Sequence, residues 1–104
     1  MSVDYSSMCP RYEAAAALLG KKWVGLIVRV LMAGPKHFGD FRCQLPQLSE
    51  RLLSERLKEL ENQGIVARTV LESRPVGVEY RLTNKGRDLE PVVRTIQEWA
   101  ETWY

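Results

Sequence analysis

The sequence predicts a single α+β domain, mainly helical with one small β-hairpin. Three observations predict it. The chain has 104 residues, the size at which one hydrophobic core is the usual outcome. Apolar residues recur at helical spacing in separate stretches bounded by Gly, Pro or a capping Ser or Thr. Only between residues 66 and 82 does the pattern change to strict alternation, on either side of a turn-rich segment. Hydrophobic residues make up 45% and charged residues 27%, ordinary values for a globular protein.

The first helix opens at Cys9-Pro10, since Pro at a first helical position loses no hydrogen bond. Tyr12, Ala15, Ala16 and Leu19 follow at helical spacing, and Gly20 ends the run. The second is expected to start near Lys21 or Lys22, with Trp23, Ile27, Val30 and Leu31 as its apolar stripe and Gly34-Pro35 as its stop. The third is short: Phe38, Phe41 and Leu45 share a face, Cys43 points away from it, and Pro46 closes it. The fourth is the best signalled, with Ser49 as N-cap, the stripe Leu53, Leu57 and Leu60, and Gly64 as stop. Val66, Arg68 and Val70 then alternate with Ala67, Thr69 and Leu71. Past Glu72-Ser73-Arg74-Pro75-Val76-Gly77, Val78, Tyr80 and Leu82 alternate with Glu79 and Arg81, which makes a hairpin with a long, basic-tipped loop. Thr83 caps a last helix with Leu89, Val92, Val93, Ile96, Trp99, Ala100 and Trp103, in which Pro91 should cause a kink or a restart.

A short helix, the tight turn Leu45-Pro46-Gln47-Leu48, a longer helix and then a hairpin make a winged helix-turn-helix. A helix fits the major groove, and its first turns reach base edges. Ser49, Glu50, Arg51, Ser54 and Lys58 are the candidate DNA-binding residues on the longer helix, with Lys36 ahead of the short one. Arg74, at the loop tip, suits phosphate or the minor groove. The alternative for the helix face is a solvated surface, with Arg51–Glu55 and Glu55–Lys58 as intrahelical pairs, and for Glu55 the bland reading is preferred. An alternative for the whole chain is a winged helix used for protein–protein interaction without DNA. An enzyme fails on inventory: there is one His, no glycine-rich phosphate loop, and no base beside either cysteine in sequence. His37 reads as a cap or turn residue, and neither a metal site nor a cofactor is expected.

Charge is divided along the chain. Residues 1–87 carry 14 Lys/Arg against 9 Asp/Glu, whereas residues 88–104 carry one Arg against 4 acids. A basic body faces phosphate, while the acidic, aromatic tail avoids it. That tail, residues 83–104, holds seven apolar residues on one stripe, more than so small a domain can bury alone. A homodimer is expected through Tyr12 of the first helix and Val92, Val93, Ile96, Trp99 and Trp103 of the last. The alternative is a last helix folded back on its own domain. The longest apolar run, Trp23 to Gly34, has 12 residues and contains Arg29. No membrane span and no secretory signal are expected, and the cytoplasm is the expected compartment. Cys9, at a helix start near Arg11, Lys21 and Lys22, is the one candidate for chemistry; it is either a sensing thiol or an inert cap-position residue.

The chain resembles the HxlR-type branch of the MarR-like winged helix-turn-helix regulators of bacteria. The matching stretches are Cys9-Pro10, Leu19-Gly20-Lys21-Lys22-Trp23, Gly34-Pro35-Lys36-His37-Phe38 and Leu45-Pro46-Gln47-Leu48-Ser49. Arg56-Leu57-Lys58-Glu59-Leu60-Glu61, Gly64-Ile65-Val66, Val78-Glu79-Tyr80-Arg81-Leu82-Thr83 and Lys85-Gly86 complete them. Gln47 stands where the family usually has Gly, and Cys43 where it more often has a basic residue. The resemblance implies a homodimer built through terminal helices, two recognition helices on a palindromic operator, and a transcription repressor. It also implies response to a small-molecule or redox/electrophile signal, with Cys9 at the position where some members sense it.

Overall fold

Pro10 places the start of α1 (Pro10–Leu19), with Cys9 as its extended N-cap and Gly20 at its end. The computed structural model describes residues 2–72 and 77–104 of the chain. The next helix starts later than expected. Helix α2 (Val24–Leu31) follows a tight turn in which Lys21 N–H donates to the Leu18 carbonyl and Val24 N–H to that of Lys21, each at 3.2 Å. Trp23 is therefore the N-cap rather than part of the stripe, in the left-handed region at φ 78°. That conformation costs a bulky residue roughly 1–2 kcal/mol, which the packing of its half-buried indole against the core offsets.

Strand β1 (Lys36–His37), too short to show alternation, is an element the sequence did not reveal. It leads straight into α3 (Phe38–Gln44), where His37 is the N-cap and its N–H donates to Asp40 Oδ2 at 2.8 Å. In α4 (Glu50–Asn62), Ser49 Oγ accepts from Leu52 N–H at 3.1 Å, as the N-cap signal predicts. Gly64 at φ 73° ends α4: its N–H donates to the Glu61 carbonyl, and Ile65 N–H to that of Leu60. This pair of bonds satisfies carbonyls that the last helical turn leaves open.

The hairpin is β2 (Val66–Leu71) with β3 (Gly77–Leu82), antiparallel from Val66↔Leu82 to Leu71↔Gly77. Strand β1 pairs with the other edge of β3, Lys36 opposite Tyr80, giving three strands in the order β1-β3-β2. Val66 and Leu82 are buried, yet Arg68 and Val70, on the same side of β2 as Val66, are exposed. The hairpin leaves the core after its first pair and stands out as a wing.

Thr83 caps α5 (Asn84–Arg87), and Pro91 restarts the helix, so the tail is two helices, α5 and then α6 (Glu90–Trp103). Thr83 N–H donates to the Ile65 carbonyl at 2.9 Å, its hydroxyl donates to the Gly64 carbonyl, and Lys85 Nζ donates to that of Gln63 at 2.7 Å. The base of the hairpin is thus tied to the end of α4. Gly86 sits in this junction, where an added Cβ would fall 2.3 Å from the Ile65 carbonyl oxygen. Gly86→Ala should therefore cost about 2–3 kcal/mol through overpacking. A chemical denaturation midpoint equal to wild type would contradict that.

The core joins Val24, Ile27, Val28 and Leu31 of α2 to Phe41, Leu48, the predicted stripe Leu53, Leu57 and Leu60, and Ile65, Val66 and Leu82. Phe41 and Tyr80 meet edge to face at 6.2 Å, joining α3 to β3. Neither α1 nor α6 contains a fully buried residue. Leu18 and Leu19 at the end of α1 and Val93 of α6 nonetheless pack partly buried against the core, so α6 lies on its own domain by one edge and leaves the rest of its stripe exposed.

Candidate nucleic-acid interface

Burial of Leu53, Leu57 and Leu60 fixes which side of α4 meets solvent. Arg51, Ser54, Glu55 and Lys58 are exposed there, Ser49 and Glu50 at the first turn. The Arg51 side chain is 91% exposed, with Nε 3.3 Å from Glu55 Oε1. Such an exposed i,i+4 pair contributes only about 0.3–0.5 kcal/mol, so a base or phosphate can displace it. Glu50 lies 3.6 Å from Arg42 of α3, which bridges the two helices and reduces the carboxylate's repulsion of phosphate. Ser49 Oγ accepts one bond in the cap, which leaves its hydroxyl hydrogen and a second lone pair for a ligand. Lys58 makes no ion pair among the described residues.

Lys36 is half-buried in β1, beside the wing rather than on α4. Arg74 lies outside the described residues. The wing strands bring basic residues that the sequence pattern did not single out. Arg68 is exposed on β2, and Arg81 on β3 donates to Thr69 Oγ1 at 3.0 Å. Arg42 was missed as well; its signal was a cation on the outer flank of a helix too short for a clear pattern. His37 Nδ1 lies 3.1 Å from the Val78 carbonyl oxygen, linking the start of α3 to the wing.

The predicted interface residues form a second region. Tyr12, Val92, Ile96, Trp99 and Trp103 are all exposed, Ile96 by 62% and Trp103 by 71%. Val93 instead packs against its own core. Leu26 of α2 and the N-terminal residues Val3, Tyr5 and Met8 are further exposed apolar side chains. An apolar groove of about 240 Å³ runs between α2 and α6, bounded by Leu19, Trp23, Leu26, Val92 and Ile96. At one end of it Arg29 Nε donates to Gln97 at 3.2 Å. The radius of gyration, 15.3 Å, exceeds the roughly 13 Å of a compact domain of this length. Cys9 and Cys43 are both free and exposed. No cluster of metal-ligating side chains occurs among the described residues, and no described helix is long and apolar enough to cross a membrane.

A family model described as HxlR-like helix-turn-helix matches residues 18–104. Among curated relatives, the HTH-type regulator YvaP of Bacillus subtilis (strain 168) is 48% identical over 101 residues, covering 97% of this chain and 94% of its own. The HTH-type transcriptional regulator YodB of the same organism is 50% identical over 96 residues, covering 92% of this chain and 86% of its own. The structure of reduced YodB superimposes with a TM-score of 0.83 at 49% identity, over 93% of this chain and 95% of that one. Quinone-bound YodB gives 0.80 at 48% identity, over 92% and 100%. The oxidized form of the redox regulator HypR gives 0.86 at 41% identity, over 92% and 98%.

Proposed function

The chain belongs to the HxlR-like helix-turn-helix family of DNA-binding transcription regulators, and we propose that it is a homodimeric cytoplasmic repressor released from a palindromic operator by an electrophile or oxidant. The observation that carries this reading is the division of the surface into two regions. A polar face on α4 stands beside a basic wing, and an unpartnered apolar stripe runs along α6. Arg51, Ser54 and Lys58, with Glu50 and Ser49 at the first turn, contact the major groove. Lys36 and Arg74 hold the backbone on the wing side. Tyr12, Val92, Ile96, Trp99 and Trp103 bury against a second copy, with Val93 beneath them. The resulting two-fold axis places two recognition helices about one helical turn of DNA apart.

Selection of bound sequences from a random duplex pool tests the reading, followed by titration of the selected operator at several salt concentrations. Six or more phosphate contacts should lower affinity by roughly 10³–10⁵ between 50 and 200 mM salt. Salt-insensitive binding, or failure to enrich any duplex, would remove DNA binding from this chain.

The signal enters at Cys9. Its thiol is exposed at the N-cap of α1 and makes no capping hydrogen bond, at the end of α1 away from Leu18 and Leu19, which pack against the core. Adding a group there acts on the exposed start of α1, next to the proposed partner, rather than on its packed end. The relatives support the chemistry: YodB has been crystallised reduced, diamide-treated and quinone-bound. A quinone or diamide should release wild-type protein from its operator, while Cys9→Ser stays bound and Cys43→Ser behaves as wild type. Equal release of Cys9→Ser would make Cys9 structural and place the sensor elsewhere.

A further inference from the structure

Helix α4 is held on its flank by a charged cluster that includes none of the proposed DNA-facing residues. Arg56 and Glu59 lie one turn apart on α4, and both reach the turn between α1 and α2. Arg56 Nε donates to the Lys22 carbonyl oxygen at 2.9 Å, and its Nη1 donates to Glu59 Oε1 at 3.2 Å. Lys21 Nζ meets the other oxygen of the same carboxylate, Glu59 Oε2, at 3.1 Å. The Arg56 side chain is 17% exposed, that of Glu59 34% and that of Lys21 47%, so the guanidinium is largely shielded from water while the lysine end is open, and the cluster as a whole is less exposed than the Arg51–Glu55 pair. The planar guanidinium donates in two fixed directions, which sets an angle as well as a distance.

The same turn carries Trp23 in its left-handed conformation, and the Trp23 side chain bounds the groove between α2 and α6. Four residues, 20–23, therefore touch the recognition helix on one side and the partner-facing helices on the other. The buried leucines of α4 fix which side faces the core and how deeply the helix sits, and the hydrogen bonds on its flank add a directional constraint that non-directional burial lacks. The forked hydrogen bonds of Arg56 and Glu59 supply that constraint.

We propose that Lys21, Arg56 and Glu59 are positioning residues that set the angle of α4 relative to the terminal helices, and so the half-site spacing the protein accepts. This rests on the two-headed binding of the proposed function. The test measures affinity of the full chain for duplexes carrying one selected half-site, and for duplexes carrying two half-sites at a series of spacings. Wild type should show one sharply preferred spacing. Arg56→Lys and Glu59→Gln should hold one half-site within about twofold of wild type but lose about tenfold at the preferred spacing, a part of the 10²–10⁴ gained by linking two sites. Their spacing profiles should flatten. Loss in parallel on single and paired half-sites is what a purely structural role produces, and it overturns the proposal, as does an unchanged profile. Lys21→Met, on the exposed side of the cluster, gives the same readout where an α4 variant fails to fold. A wild-type protein indifferent to spacing refutes two-headed binding, and this proposal with it, before any variant is made.

Discussion

Ile96→Glu is expected to yield a folded monomer that binds its operator roughly 10²–10⁴-fold more weakly than wild type, the advantage lost when two linked contacts become one. In the single chain Ile96 is exposed, at the middle of the α6 stripe and on the edge of the α2–α6 groove. A carboxylate there stays hydrated in the monomer, and the thermal transition of the domain should survive. In the proposed dimer the same carboxylate would be withdrawn from water against apolar side chains, at a cost of several kcal/mol. Sedimentation and light scattering read the assembly, and titration of one and two half-sites reads the binding. Single half-site affinity should be retained. Wild-type protein that sediments as a monomer at micromolar concentration ends the dimer reading, and an Ile96→Glu dimer moves the interface elsewhere.

Arg51→Ala carries the second large effect. The side chain projects from the first turn of α4, almost fully exposed, and its one ion pair is weak. Engaged with a guanine edge, it is worth about 1–3 kcal/mol of discrimination at one base pair. The variant should bind the selected operator about tenfold to a hundredfold less tightly and accept substitution at that base pair. Arg74→Ala should instead weaken specific and random duplex alike, because backbone contacts carry little sequence information. Equal losses of both variants on both kinds of DNA would show that the reader and the anchor are wrongly assigned. Glu55→Ala, which frees Arg51, should strengthen binding slightly.

Helix ends with a backbone cause were legible in the sequence: Pro10, Ser49, Gly64, Thr83 and Pro91 each act where they stand. The start of α2 was not, because Trp23 looks like the first member of an apolar stripe. Only the folded turn shows it in a left-handed conformation, which tryptophan rarely adopts. Strand β1 escaped because two residues carry no period. The polar face of α4 could be read from its wheel, whereas the Arg42–Glu50 and Arg56–Lys22 links could not. Those contacts join residues on different elements, and spacing along one helix carries no information about them.

The junction of Thr83, Lys85 and Gly86 with the end of α4 has a consequence for how such regulators diversify. It ties the base of the wing to the end of the recognition helix, while Arg51, Ser54 and Lys58 contribute nothing to the core. Substitutions at these three positions should shift stability by no more than about 0.5 kcal/mol. If these residues read the operator as proposed, duplicated copies of such a gene could acquire new target sequences one exposed residue at a time on an unchanged frame.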